Sequence, residues 1–187
     1  MKSVLLIGDS PISMSPYILS YIEVFEKNGI PYELVYWNKT MEDTSHLPNN
    51  YIAYNRAHDN AIAGWKKIFR INGFARFVKK RMRSNEYAYA VVFTIAHALF
   101  FYPFITRKYK GKYVFDIRDH SPLCSMPFAS EIIKKLIENS AFTVLSSKGF
   151  LRWLPCIEDE KIIIAHNTTL AAVNSGMNYV LNSNETD

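Results

Sequence analysis

Four short apolar runs in this chain end abruptly in polar or charged residues, and that repetition constrains the fold more than any single motif. Residues 112–117 run into Arg118, Asp119, His120 and Ser121, and residues 4–8 into Asp9 and Ser10. Residues 142–145 run into Ser146, Ser147, Lys148 and Gly149, and residues 161–165 into His166 and Asn167. Bounded runs rich in β-branched and aromatic residues read as buried strands. In an open parallel sheet the ligand crevice lies outside the carboxyl ends of such strands. Four ends of the same kind therefore outline one crevice.

The stretches between them carry helical periodicity. From about Pro16, Ile18, Tyr21, Ile22 and Phe25 share one face, and the pattern stops at Asn28 and Gly29 before Pro31. Residues 32–37 form a second strand, 40–50 a polar loop holding Pro48, and 51–54 a short extra strand. A helix over 127–139 buries Phe128, Ile132, Ile133, Leu136 and Ile137. Strands alternating with helices predict right-handed crossovers. The expected fold class is α/β, a Rossmann-like open parallel sheet of about six or seven strands with helices on both faces. Residues 1–167 make that domain, and the Asn-, Ser- and Thr-rich 168–187 reads as a tail or linker.

At 49% hydrophobic and 14% aromatic residues, with only 7 Gly and 8 Pro, the chain is globular. Its 2 cysteines, Cys124 and Cys156, form neither a disulfide framework nor a metal-ligand cluster. The apolar start is too short for a secretory signal, since Gly8 and Asp9 interrupt it. Residues 88–105 are long enough to suggest a membrane span. His97, Pro103 and flanking cations on both sides argue instead for a strand over 89–94 entering a buried helix. A cytoplasmic protein, peripheral on the inner face of the membrane, is the expected setting.

Net charge is +5, concentrated in residues 62–84, which hold eight Lys and Arg and no acid. Trp65, Ile68 and Phe69 share one helical face; Phe74, Phe77, Val78 and Met82 share another that points nearly the opposite way. One straight helix cannot bury both in the same core. A break at Gly73 with a solvated basic face is the plainer expectation. The sharper one is a membrane-surface element, in which Trp65 and Phe69 enter the headgroup region beside Lys66, Lys67 and Arg70. The charge also permits nucleic-acid binding, but the aromatics follow core positions and form no stacking platform, so no nucleic-acid partner is expected.

The candidate catalytic residues are Asp119, His120 and His97, side chains able to orient a ligand hydroxyl or take its proton. Each has a structural alternative: a turn cap for Asp119, a satisfied core histidine for His97. Gly8, Asp9, Ser10, Arg118, Ser146, Ser147, His166 and Asn167 are candidate substrate-binding residues. Ser146 and Ser147 would open a helix, holding an anion on its amides or simply capping it. Asp116 and Arg118 also read as a structural pair. No Gly-x-Gly-x-x-Gly fingerprint exists. Ser10 resembles an esterase nucleophile, but no Asp-x-x-His supplies its base. No metal site and no cofactor are expected.

With those strand ends in place, the chain resembles the N-terminal half of a two-domain glycosyltransferase of GT-B architecture. It is most similar to the family 4 transferases of bacterial capsular and other surface polysaccharides. The residues that carry the resemblance are Val4 to Asp9, Asp116 to Asp119, Ser146 to Phe150, Leu154 and Pro155, then His166 and Asn167. The resemblance implies acceptor binding by this half. The C-terminal half would hold the nucleotide-sugar donor and a paired-carboxylate E-x7-E motif, with transfer to a glycan or lipid-linked acceptor, retention, and no required metal. The chain departs from the pattern in two ways. It contains no donor domain, so it is expected to be inactive alone, and its first loop lacks the usual double glycine. A membrane-associated, non-catalytic partner subunit of a split transferase is the alternative.

Overall fold

The computed structural model describes residues 2–58, 64–154 and 159–165. His166, Asn167, the expected tail and the side chain of Trp65 lie outside the described residues. The strands are β1 (Ser3–Gly8), β2 (Tyr32–Asn38), β3 (Tyr51–Asn55), β4 (Tyr87–Phe93), β5 (Tyr113–Ile117), β6 (Phe142–Leu145) and β7 (Ile162–Ile164). The helices are α1 (Pro16–Lys27), α2 (Gly64–Ser84), α3 (Ile95–Lys108) and α4 (Ala129–Glu138). The strands form one sheet in the order β3-β2-β1-β4-β5-β6-β7, every neighbour parallel. This is the Rossmann-like α/β sheet that the alternating pattern predicts.

Alternate residues of each strand feed two cores. Leu5, Ile7, Val35, Val92 and Phe115 meet α2, α3 and α4 on one face. Leu6, Leu34, Val91 and Phe93 meet α1 on the other. A sheet covered on both faces explains why its strands are continuously apolar. Pro16 sits in the first turn of α1, where its missing N–H costs nothing. Gly29, at φ 63°, ends that helix in the left-handed conformation.

Three expectations are corrected. The helix expected over 127–139 begins only at Ala129, and Phe128, expected in its core, precedes it in a left-handed conformation and is 81% exposed. The chain does not break at Gly73: α2 is one helix across it. A Cβ at Gly73 would sit 2.9 Å from the Tyr54 hydroxyl, so the glycine admits β3's side chain against the helix. Burial of Phe74, Ala75, Val78 and Met82 outweighs the cost of roughly 1 kcal/mol for a mid-helix glycine. The other apolar patch stays outside, with Ile68 40% and Phe69 68% exposed. Nor do Ser146 and Ser147 open an α-helix. A five-residue 3-10 helix, Lys148–Arg152, follows them, too short to focus an anion.

The Phe74 ring lies 5.2 Å from that of His97, the third residue of α3. The ten residues of α2 that precede Phe74 continue the helix for roughly 15 Å, at 1.5 Å per residue. The first of them overhang the carboxyl edge of the sheet, where Arg70 meets the Ala57 carbonyl beyond β3. No helix among the described residues is long and apolar enough to cross a membrane.

Candidate functional site

Parallel crossovers bring every carboxyl strand end to one edge, and the strand order reverses at β1, between β2 and β4. From there α1 leaves along one face and α3 along the other, which opens a crevice between their loops. Gly8 ends β1, and a Cβ there would meet Ile18 Cδ1 at 2.8 Å, so the glycine lets α1 approach the strand. Asp9 and Ser10 follow, half-buried, with the Ser10 hydroxyl donating to Asp9 Oδ1 at 3.3 Å. Lys39, just past β2, reaches both of them: its Nζ lies 3.4 Å from Asp9 Oδ2 and 3.3 Å from Ser10 Oγ. The same ammonium stands 5.3 Å over the Trp37 ring.

His97 forms the wall behind this cluster, 3% exposed. Its Nδ1 lies 3.1 Å from Thr94 Oγ1, and its ring meets Trp37 and Phe74 edge-on. Burial pushes its pKa down to about 4, against the pull of nearby Asp9. The imidazole is thus neutral at pH 7. Its Nε2 has no partner among the described residues. General bases work best with a pKa near the operating pH, so this geometry suits His97 to hydrogen bonding more than to proton removal.

Asp116 and Arg118, at the end of β5, are both buried and joined at two points, Nε to Oδ1 at 2.5 Å and Nη2 to Oδ2 at 2.6 Å. Burial raises the Asp116 pKa, and contact with Arg118 and Tyr21 opposes that only in part. Burial likewise works against the Arg118 charge, but its bonds to Asp116 prevail and raise its pKa. Arg118 further donates to the Ala165 carbonyl at 3.1 Å and lies 5.3 Å over the Tyr17 ring. Its carbonyl accepts from the Ser146 hydroxyl at 3.0 Å.

Asp119 and His120 are exposed just beyond, and the His120 ring meets Trp153 at 5.0 Å. His120 and Trp153 edge a cavity of about 150 Å³ with Cys124 and Ser130. Ser147 is half-buried and caps no helix amide with its side chain. Tyr17 bridges the two regions: burial first, then Asp9, Asp116 and Asp119, raise its pKa. The structure thus gathers Gly8, Asp9, Ser10 and His97 into one crevice. Arg118 and Ser146 form an adjoining buried network, and His120 and Ser147 stand outside both.

Three contributors escaped the sequence reading. Lys39 is the residue after the second strand, so its position at a strand end was a usable signal. Tyr17 and Tyr21 lie four apart on α1, and nothing in that spacing distinguishes lining a site from packing a core. The rim itself is apolar. Met14, Met41, Phe69, Met126, Phe128 and Leu151 are exposed on loops or helix starts at this same edge. Among the described residues no three His, Cys, Asp or Glu side chains gather as metal ligands.

No protein-family model matches this chain, and no curated protein sequence does either. Its fold does have solved counterparts. Sucrose-phosphate synthase from Thermosynechococcus elongatus superposes with a TM-score of 0.62 at 11% identity, over 95% of this chain and 53% of that one. A shortened chain of the same synthase gives 0.62 at 12% identity, over 96% of this chain and 98% of that one. The chain thus spans about half the length of the longer synthase chain it matches. At such identities the likeness is one of fold.

Proposed function

We propose that this chain is the acceptor-binding N-terminal domain of a glycosyltransferase of GT-B architecture, with residues 1–167 as the domain and 168–187 leading toward a donor domain. The observation that carries the reading is the crevice at the β1–β4 reversal, with Asp9, Ser10 and Lys39 on one lip and Asp119 beyond the other. Hydroxyl, carboxylate and ammonium groups at a strand edge suit a polyhydroxylated ligand. Asp119 is the residue free to orient an acceptor hydroxyl and accept its proton. Lys39 and Ser10 would hold neighbouring oxygens, and His97 would present a neutral imidazole from behind.

A fold shared with half of a sucrose-phosphate synthase supports a sugar-transferring enzyme. The ordered motifs that resemble family 4 support the finer terms: retention, metal independence, a nucleotide-sugar donor and a surface-polysaccharide or lipid-linked acceptor. No E-x7-E pair exists in these 187 residues. The purified chain should therefore neither hydrolyse UDP- or GDP-sugars nor transfer from them, and robust turnover by it alone overturns the reading. In a protein carrying both halves, Asp119→Asn should lower kcat by about 10²- to 10⁴-fold while leaving the donor KM unchanged.

Attachment to an anionic membrane surface is part of this proposal. The observation favouring it is the overhang of α2, where exposed Ile68 and Phe69 stand beside Lys66, Lys67 and Arg70 at the crevice's own edge. It equally suits the alternative of a non-catalytic membrane-bound subunit of a split transferase. Reconstitution with a separately encoded donor half would distinguish that case.

A further inference from the structure

Between α3 and the segment entering α4 lies a cavity of about 200 Å³, lined by Leu99, Phe100, Leu123, Met126, Ala129 and Ile132. These side chains are all apolar, and none belongs to the crevice described above. A closed apolar cavity of roughly 150 Å³ stays dry and takes up benzene, so this one is large enough for a hydrocarbon. Phe128 stands beside it, 81% exposed and held at φ 66°. That left-handed conformation is strained for a bulky residue with a Cβ. The fold thus carries backbone strain at the residue that keeps an aromatic ring in solvent next to an apolar groove.

The neighbouring flank is cationic. Lys79 of α2 donates to the carbonyl of Phe100, a cavity-lining residue, at 2.7 Å. Arg76 and Arg83 lie close enough to act on Lys79, whose pKa is lowered first by burial and then by those two charges. Arg83 also covers the Phe104 ring at 5.4 Å. Among the described residues none of the three forms an ion pair. An occupant must therefore be apolar where it meets α3 and α4 and anionic where it meets α2. An extended peptide would bring backbone N–H and C=O groups that this apolar wall leaves unpaired. A hydrocarbon chain brings none.

We propose that this groove holds a hydrocarbon chain of an anionic lipid, with Arg76, Lys79 and Arg83 facing its head group. The inference rests on reading the chain as an acceptor-binding half, and it narrows the acceptor to a lipid bearing an anionic head. The groove is walled on one side by Leu123 and Met126 of the loop after β5, the same loop that carries Asp119.

The test uses the full 187-residue chain with dodecyl phosphate below its micelle concentration, read by methyl NMR. Saturable shifts are expected at Leu99, Leu123, Met126 and Ile132, with dodecyl maltoside at least about tenfold weaker and inorganic phosphate silent at these methyls. Leu123→Trp should fill the groove and weaken dodecyl phosphate at least tenfold. Leu99→Trp does the same from the opposite wall, should the first variant fold poorly. Lys79→Gln should reduce the preference for phosphate over maltoside. Absence of saturable shifts at these methyls, unchanged binding in a folded groove-filling variant, or shifts confined to Ile68 would each overturn the proposal. The sugar-nucleotide assay contains no lipid, so the glycosyltransferase reading and this one can fail separately.

Discussion

Arg118 closes over the carboxylate of Asp116 through Nε and Nη2, at 2.5 and 2.6 Å, and Tyr21 donates to the same Oδ2 at 2.6 Å. The pair ties three elements: Tyr21 belongs to α1, the two charges end β5, and Arg118 holds the Ala165 carbonyl after β7. Removing one member of such a pair leaves the other charge buried and uncompensated, which costs about 3–5 kcal/mol. Asp116→Ala should therefore lower urea-unfolding stability by about that much. Asp116→Leu with Arg118→Met should recover most of it, because an apolar pair of similar volume avoids both desolvation penalties. Equal losses in the single and double variants would show that the pair contributes more than mutual neutralisation.

The strand ends were legible because buried strands must be apolar and carboxyl-edge loops need not be, so each transition reads directly in sequence. The same alternation implies parallel strands joined by crossovers, though not their order across the sheet. The site was less legible because its contacts are made across the sheet: Lys39 meets Asp9 from a neighbouring strand end, 30 positions away. Local periodicity misjudged α2 for a physical reason. Two opposed apolar faces implied a break only on the assumption that both are buried, and the chain instead leaves Ile68 and Phe69 in solvent. Ser146 and Ser147 looked like a helix start, yet Ser146 spends its hydroxyl on the Arg118 carbonyl.

His97 gives a pH dependence of definite sign. Its pKa is about 4 in the folded protein, against 6.5 for an exposed histidine. Below pH 6.5 the unfolded chain binds a proton that the folded protein refuses until about pH 4. The stability associated with a neutral His97 is complete above pH 6.5 and declines as pH falls toward 4, by about 1.4 kcal/mol per unit. The free-energy difference between the parent and His97→Gln should thus change by on the order of 3 kcal/mol between pH 7 and pH 4. Carboxylates such as Asp116 titrate in both proteins and cancel in that difference. A difference that stays flat with pH would mean His97 is solvated.

Gly73 and Tyr54 should be coupled. Gly73→Ala gains roughly 1 kcal/mol of helix propensity, but its methyl would meet the Tyr54 hydroxyl at 2.9 Å. The substitution alone is expected to be close to neutral. In a Tyr54→Phe background the obstructing oxygen is gone, while the ring carbon Cζ lies 3.9 Å away, ordinary contact. There Gly73→Ala should stabilise by most of that 1 kcal/mol. A double-mutant cycle in urea measures the coupling directly, and perfect additivity would show that the hydroxyl moves aside without cost.

The overhang of α2 makes the last prediction, about membranes. Lys66, Lys67 and Arg70 lie on its first turns with Phe69 exposed among them, and a cation near an anionic surface contributes about 1 kcal/mol. Arg70 also donates to the Ala57 carbonyl at 2.8 Å, so reversing it would disturb the loop after β3 as well as the charge. Lys66→Glu with Lys67→Glu leaves that hydrogen bond in place, and Phe69→Ala removes an exposed apolar side chain. Each variant, confirmed as folded by circular dichroism, should co-sediment less with phosphatidylserine vesicles, the charge pair by tenfold or more. Parent binding should fall as salt rises, because a Debye length of about 10 Å at 0.1 M shortens to about 3 Å at 1 M. Equal binding to neutral and anionic vesicles would leave the basic run as a solvated helix face.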